Sequence, residues 1–347
     1  MNDVTLIGID TAKSIFHFHA VNKNGKQIYQ KALRRPKLLE FLANSPQAVI
    51  AIEGCSSCHH WSRKFSALGH SVKIISARKA AQFRSRNKND YNDAKALTKA
   101  ARDEDTYFIP AKSSQQQTIQ AIHKIRDFTM RQRTATVNTI RALLTEFGIV
   151  FPLGVSRLRL MLPNIIDDLE NELPQAVRDL LNEQYALFKQ LSDQIKSCEK
   201  RLQCCLKDSP QAQQLKQIPG VGLIISTALT YMIPDPSIFK NGRNCAAWLG
   251  LTPKEHSSGG KQRLGGISCE GNAYLRKILV QGAQAMLQRA HKRQDPLSIW
   301  ASRLKAKKGT NLAAVALANK ITRIAWAILH QQTDFNYKPK FKKMNTN

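Results

Sequence analysis

Near residue 110 the spacing of apolar residues changes from alternation to a helical repeat, and this change divides what the chain can fold into. Upstream, "VTLIGID" (4–10) and "IFHFHAVN" (15–22) read as strands joined by a turn. "AVIAIEG" (48–54) reads as a buried strand and "SVKIISA" (71–77) as another. Residues 1–110 are therefore expected to form an α/β domain. From about Ser113 to Leu206 the pattern is helical, with Val137, Ile140, Leu144 and Phe147 on one face and Leu180, Leu187, Leu191, Ile195, Cys198 and Leu202 on a later one. "FPLGVSRLRLMLP" (151–163) is expected to break this region, 111–206, into a hairpin. The later stripe approximates a heptad and suits either a coiled coil or an ordinary packed helix. Leu187, Leu191 and Ile195 are where a dimer contact is expected. Residues 207–335 read as helices punctuated by glycine, and the basic "NYKPKFKKMNTN" (336–347) as a disordered tail.

With 347 residues and 42% apolar content the chain can build a core in each of two or three domains. Lys and Arg number 53 against 25 acids, a formal charge of +28, which favours a polyanionic partner through counterion release. Nucleic acid is the first candidate and an anionic membrane surface the competitor. No 18-residue apolar run stands out, and Asp3 and Asp10 sit within the first 20 residues, so neither a span nor a signal peptide is expected. Seven cysteines without framework spacing fit a reducing cytoplasm.

Against that charge the acids in "KNDYNDAKAL" (88–97) are conspicuous. Asp90 and Asp93 open a segment that turns helical, so their spacing places both on one face. Acids in a first helical turn also answer the helix dipole without any chemistry. Asp10 ends the apolar run "TLIGI" and Glu53 ends "AVIAI". Two acids at strand ends and two on a helix can converge on divalent metal, where a two-ion site activates an attacking oxygen and stabilises the leaving one at a phosphodiester. Mg²⁺ is the expected cofactor.

The order strand Asp, strand Glu, helical Asp-x-x-Asp resembles the RuvC-like branch of the RNase H fold. "QIPGVGLIISTAL" (217–229), "NCAAWLGLTPKEHSSGGKQRLGGIS" (244–268), "GNAYLRKILVQGAQAML" (271–287) and "NLAAVALANKITRIAWAIL" (311–329) resemble the carboxyl-terminal half of DEDD transposases of the insertion-sequence one-ten family. "EGCSSCHHW" (53–61) and "RNKNDYNDA" (86–94) resemble its eleven-eleven subgroup. The likeness runs from Ile7 to Leu329. It implies an α/β plus all-α chain: a RuvC-like domain, a helical middle region, and a mainly helical transposase domain with a helix-hairpin-helix-like turn. It also implies an RNA-guided DNA recombinase with Mg²⁺ on Asp10, Glu53, Asp90 and Asp93, steered to donor and target DNA by a structured noncoding bridge RNA. Homodimers that assemble into tetramers and a cytoplasmic, nucleoid-associated location follow from the same likeness.

The family motif places the nucleophile at the serine directly before the paired glycines of "EHSSGGKQRLGG" (255–266), Ser258, with Ser257 as the fallback. Gly259 and Gly260 would let backbone amides approach a phosphate, and Lys261 and Arg263 would neutralise it. A flexible Gly/Ser loop without chemistry has the same composition. Serine needs activation, which the metal cluster could supply, and its attack would leave a phosphoserine link. In "IPGVG" (218–222), Gly220 and Gly222 would present N–H groups to a phosphate, or simply form a tight turn. Lys88 before the Asp pair is a further phosphate candidate. The stripe Leu312, Val315, Asn319, Thr322, Trp326 and Leu329 reads as core packing. Cys55, Cys58, His59 and His60 lack the second ligand pair of a structural zinc site and read as packing beside Glu53. Cys269 and Glu270 stand where the family commonly carries a basic pair, which removes two local phosphate contacts. A RuvC-like nuclease using metal-activated water, or an architectural nucleic-acid-binding protein, would share much of this pattern.

Overall fold

The computed structural model describes residues 3–85, 89–233 and 235–335. Lys88 and the tail 336–347 lie outside the described residues. The chain forms two units, 1–115 and 116–347.

In the first unit β1 (Leu6–Thr11), β2 (Ile15–Val21) and β3 (Gln27–Arg34) form an antiparallel meander. α1 (Arg35–Ala43) leads to β4 (Val49–Glu53), α2 (Cys58–Ala67) to β5 (Ser71–Ile75), and α3 (Ala77–Gln82) and α4 (Asp90–Arg102) to the short β6 (Phe108–Ile109). β4 runs parallel to β1 and β5 parallel to β4, giving the order β3-β2-β1-β4-β5-β6. Alternation along each strand sends residues to two faces. Ile7, Ile9, Phe16, Phe18, Ile50 and Ile52 pack with Leu38 and Leu42 of α1 and Trp61 and Phe65 of α2. Leu6, Val21, Ala51 and Ile75 pack with Leu97, Ala100 and Ala101 of α4. The sheet is thus sandwiched between α1/α2 and α4. β3 was not evident from composition, because it is an edge strand whose side chains alternate between exposed and half-buried.

The second unit holds α5 (Ser114–Glu146, which begins at the unit boundary), α6 (Val155–Asp167) and α7 (Gln175–Lys207). Val137, Ile140 and Leu144 of α5 meet Leu158, Leu162 and Ile166 of α6 and Leu181 and Phe188 of α7. The helical region is interrupted here as expected, α5 ending at Glu146 and α6 starting at Val155, but most of 151–163 is itself helix, since Leu158, Leu162 and Ile166 recur every four residues and bury one face. The α7 stripe differs from expectation at two positions: Leu180 and Leu187 are exposed and Leu181 and Phe188 are buried in their place, whereas Leu191, Ile195, Cys198 and Leu202 are buried as expected. Leu191 and Ile195 are buried within the single chain. Arg178 is buried but satisfied by the carbonyls of Ile166 in the last turn of α6 and of Asn171 and Leu173 beyond it.

α8 (Pro210–Lys216), α9 (Leu223–Met232), α10 (Gly242–Trp248), α11 (Ala273–Arg289), α12 (Pro296–Lys308) and α13 (Thr310–Gln331) enclose the largest core, with the hairpin β7 (Pro253–Glu255) and β8 (Leu264–Ile267) between α10 and α11. α13 corrects the search for apolar runs: an 18-residue window of it has mean hydropathy 1.5, long and apolar enough to cross a membrane, yet half of that window is buried in this core. Its buried face is Ala313, Ala314, Leu317, Ala318, Ile321 and Ala325. Of the expected stripe, Thr322 and Leu329 are buried and Leu312 is exposed.

His123 ties α5 to this core. It is fully buried, with Nδ1 3.0 Å from the Tyr274 hydroxyl and Nε2 3.1 Å from Thr227 Oγ1. Burial, then Arg126, pushes its pKa down to about 4, so the ring is neutral at pH 7. Thr227 donates to the Leu223 carbonyl, so it accepts from Nε2–H, and Tyr274 donates to Nδ1.

Candidate active site

Ile9 lies directly opposite Ile52 in the parallel pair β1/β4, so Asp10 and Glu53, each one residue later, sit side by side at the carboxyl ends of adjacent strands. Both belong to the sheet face covered by α4, because Gly8 and Ala51, two residues earlier, touch or pack with that helix. Gly8 makes the approach possible: a methyl group there would overlap the Ala94 carbonyl. Asn89 caps α4, its side chain accepting from the Asn92 amide at 2.7 Å, which places Asp90 and Asp93 in the first turn. Strand ends and helix start thus bring all four acids together.

The electrostatics report the crowding. The Asp10 carboxyl is pushed up to about 6, first by burial and then by the negative charges of Asp90, Asp93 and Glu53, with His17 opposing. Asp93 is paired with Arg84, a cation from the segment before α4. Asp90 is 60% exposed.

Sequence reasoning missed His17. It lies directly opposite Asp10 in the antiparallel register of β1 and β2, its Nδ1 is buried without a hydrogen bond, and that atom is 3.4 Å from Asp90 Oδ2. One donor atom each from Asp10, His17 and Asp90 lie within 4.8 Å of one another. Hard carboxylate oxygens, one imidazole nitrogen and surplus negative charge form a donor set that fits a divalent cation. The signal was available: a histidine on the strand paired with the one that ends in Asp10 falls opposite it if the connecting turn is short. No Cys/His metal group forms among the described residues. Cys55 Sγ lies 3.1 Å from Thr11 Oγ1, Cys58 is buried in the core, and His59 accepts from the Lys112 amide.

The serines sit in the second unit on the β7–β8 hairpin. Ser258 pairs with Lys261 across its tip, where the Lys261 amide donates to the Ser258 carbonyl at 3.1 Å. Gly259 and Gly260 have φ of 57° and 74°, the positive pair that a tight type I′ hairpin turn needs. Turn geometry thus accounts for both glycines before any phosphate is invoked. Ser257 is held in the hairpin: its hydroxyl donates to Glu255 Oε1 at 2.7 Å and accepts from the Arg263 amide at 3.2 Å. No hydrogen bond of the Ser258 hydroxyl occurs among the described residues, and Ser258, Lys261 and Arg263 are all exposed.

Of the two glycines in the turn between α8 and α9, Gly220 has φ +86° and faces Gly282 of α11, where added side chains would crowd both backbones. Packing explains it. Gly222 caps α9, is exposed and has open space around it. Cys269 has φ +58° in a loop clamped to Gly250, and Arg276 donates to the Leu249 and Glu270 carbonyls there.

Residues 7–149 match a transposase family model of the DEDD type, and residues 212–297 match the model described as Transposase IS116/IS110/IS902 family. The chain is similar to the transposase for insertion sequence element IS1328 of Yersinia enterocolitica, 37% identical over 97% of this chain and 100% of the relative. It is also similar to the transposase for insertion sequence element IS1111A of Coxiella burnetii, 34% identical over 96% of this chain and 92% of the relative. An acid-bearing sheet domain and a glycine-punctuated helical domain, matched along nearly the whole chain, place this protein in the IS116/IS110/IS902 family of transposases.

Proposed function

We propose that the chain is a DNA recombinase that cuts and rejoins donor and target DNA through a covalent serine intermediate, with Asp10, Glu53, Asp90 and Asp93 holding Mg²⁺. The observation that carries this reading is the convergence of four acids and His17 on one sheet end in a chain of net charge +28. The strand order, antiparallel across β3-β2-β1 and parallel across β1-β4-β5, supports a RuvC-like RNase H fold. Divalent metal bound there would neutralise a phosphodiester oxygen and acidify the attacking hydroxyl.

Ser258 is the attacking group. Its Oγ forms a bond to phosphorus as the bond from phosphorus to the departing sugar oxygen breaks; the serine gives up its proton and the sugar oxygen gains one. Reversal by a different strand's hydroxyl rejoins DNA without an external energy source. Lys261 and Arg263 neutralise the phosphate, and Gly222, Gly259 and Gly260 leave backbone amides open to it. Gly220 and Lys88 complete the proposed nucleic-acid contacts. The Ser257–Glu255 hydrogen bond favours a second reading, in which Glu255 is the base and Ser257 the nucleophile.

The proposal extends to guidance by a structured noncoding RNA and to dimers assembling into tetramers in the cytoplasm at the nucleoid; family likeness and the charge support these. The three-part division at 110/111 and 206/207, with a helix-hairpin-helix role for 210–232, belongs to the same reading; of the residues expected at a dimer contact on α7, only Leu187 is exposed and open to one. Incubating protein, Mg²⁺, the element's flanking RNA and DNA carrying both junctions, then denaturing, tests it. A protein–DNA adduct lost in Ser258→Ala and kept in Ser257→Ala supports the proposal. Metal-dependent free ends that survive both changes would mean a nuclease using water.

A further inference from the structure

β8 is one wall of a second feature. Pro253 and Ile267 of the hairpin, Trp300 of α12, and Leu312 and Val315 of α13 line an open groove of about 900 Å³, with Lys320 and Arg323 at its edge. Lys320 and Arg323 also line the adjoining depression of about 540 Å³, with Asn241 and Arg243. Lys320 Nζ lies 4.0 Å over the Trp300 ring, so the cation and the aromatic wall act together. No acidic side chain lines either space among the described residues.

An apolar slot beside a cationic one matches the two halves of a nucleotide: a base with a π-face and a phosphate with negative charge. A duplex keeps its bases stacked and cannot fill the slot; an unpaired strand can. We infer that this double groove takes an unstacked nucleotide of single-stranded DNA, its base against Trp300, Leu312 and Val315 and its phosphate on Arg243, Lys320 and Arg323. Resting on the reading of Ser258 as nucleophile, the inference assigns the groove to the strand being cut, because one wall of the groove, Pro253 and Gly265 to Ile267, belongs to the base of the hairpin that carries Ser258. Holding one base would set the register of the neighbouring phosphodiester.

The test uses full-length protein and single-stranded DNA oligonucleotides carrying one 5-iododeoxyuridine at successive positions. Photocross-linking should label α12 or α13 from one or two adjacent positions. Leu312→Glu, at a 56% exposed site and so without cost to the core, should lower single-strand affinity about tenfold, the size of losing one stacked base. Arg323→Gln should lower it less and flatten its salt dependence. Ser258→Ala should bind and cross-link as wild type, so loss of the adduct and loss of the groove are read separately. Affinity unchanged in Leu312→Glu, or cross-links confined to other elements, would overturn the inference. So would an RNA oligonucleotide of the same sequence labelling the groove in preference to DNA, or a Leu312→Glu effect confined to self-association in sedimentation.

Discussion

The acids and the serine are held in opposite ways. Asp10 and Glu53 end buried parallel strands, and α4 is pressed onto them closely enough that position 8 has no room for a methyl group. Ser258 sits at an exposed hairpin tip whose side chains from Pro253 to Gly266 are all exposed. Charges that must converge on one cation need a rigid frame, because like carboxylates repel and would spread without it. On the proposed reading, a nucleophile that must meet a phosphate on a large substrate gains from being presented outside any core. If the proposed function holds, the difference says which half of the chemistry is set by folding and which by binding.

The largest test of that contrast is Ser258→Ala, expected to lower adduct formation by about 10⁴-fold or more with thermal unfolding unchanged. Asp93→Asn should lower strand cleavage by roughly 10²- to 10³-fold, read in the same denaturing gel at saturating Mg²⁺. The two glycines separate frame from tip more cleanly. Gly8→Ala should destabilise the first unit by about 1–3 kcal/mol as α4 is forced off the sheet. Gly259→Ala, strained by roughly 1–2 kcal/mol at positive φ, should slow adduct formation while leaving the main unfolding transition in place. Equal effects of both on unfolding would remove the distinction.

The smallest effect concerns pH. Folded Asp10 keeps its proton up to about pH 6, whereas an unfolded Asp releases it near 3.8. Between those values the folded state binds more protons, so metal-free stability falls as pH rises through the interval. Asp10→Asn should remove that decline and raise the metal-free melting temperature at pH 7.5 by on the order of 2 °C. Mn²⁺ or Mg²⁺ should erase the advantage. A melting temperature that is flat with pH in wild-type protein would contradict the crowding of the four acids.

The α/β half was legible because buried strands are continuous apolar runs, and an acid ending such a run is visible by eye. β3 was not, since its residues alternate between exposed and half-buried and Gln27, Gln30, Lys31 and Arg34 break up any apolar run. α6 was hidden by Pro163 and Gly154, which punctuate a segment whose leucines still recur at helical spacing. On α7, Leu191, Ile195, Cys198 and Leu202 are buried as expected, but the first two positions were misplaced by one residue because Leu180–Leu181 and Leu187–Phe188 are adjacent apolar pairs, and only packing decides which member faces in. For the site, strand-end logic named the acids but missed His17, whose place depends on antiparallel register rather than on its neighbours in sequence. The serines could be located in sequence, yet the hydrogen bonds that anchor Ser257 depend on hairpin folding and could not be anticipated.

His123 bears on how such a protein could be re-engineered. Its ring joins the start of α5 to α9 and α11, segments more than a hundred residues further on, and Gln120 adds a bond to the Tyr231 carbonyl. A graft that carried only residues 207 onward into another scaffold would leave Tyr274 and Thr227 facing an unfilled slot. The transplantable module therefore includes the start of α5, and any chimaera joined at 206/207 would have to bring a replacement for this histidine.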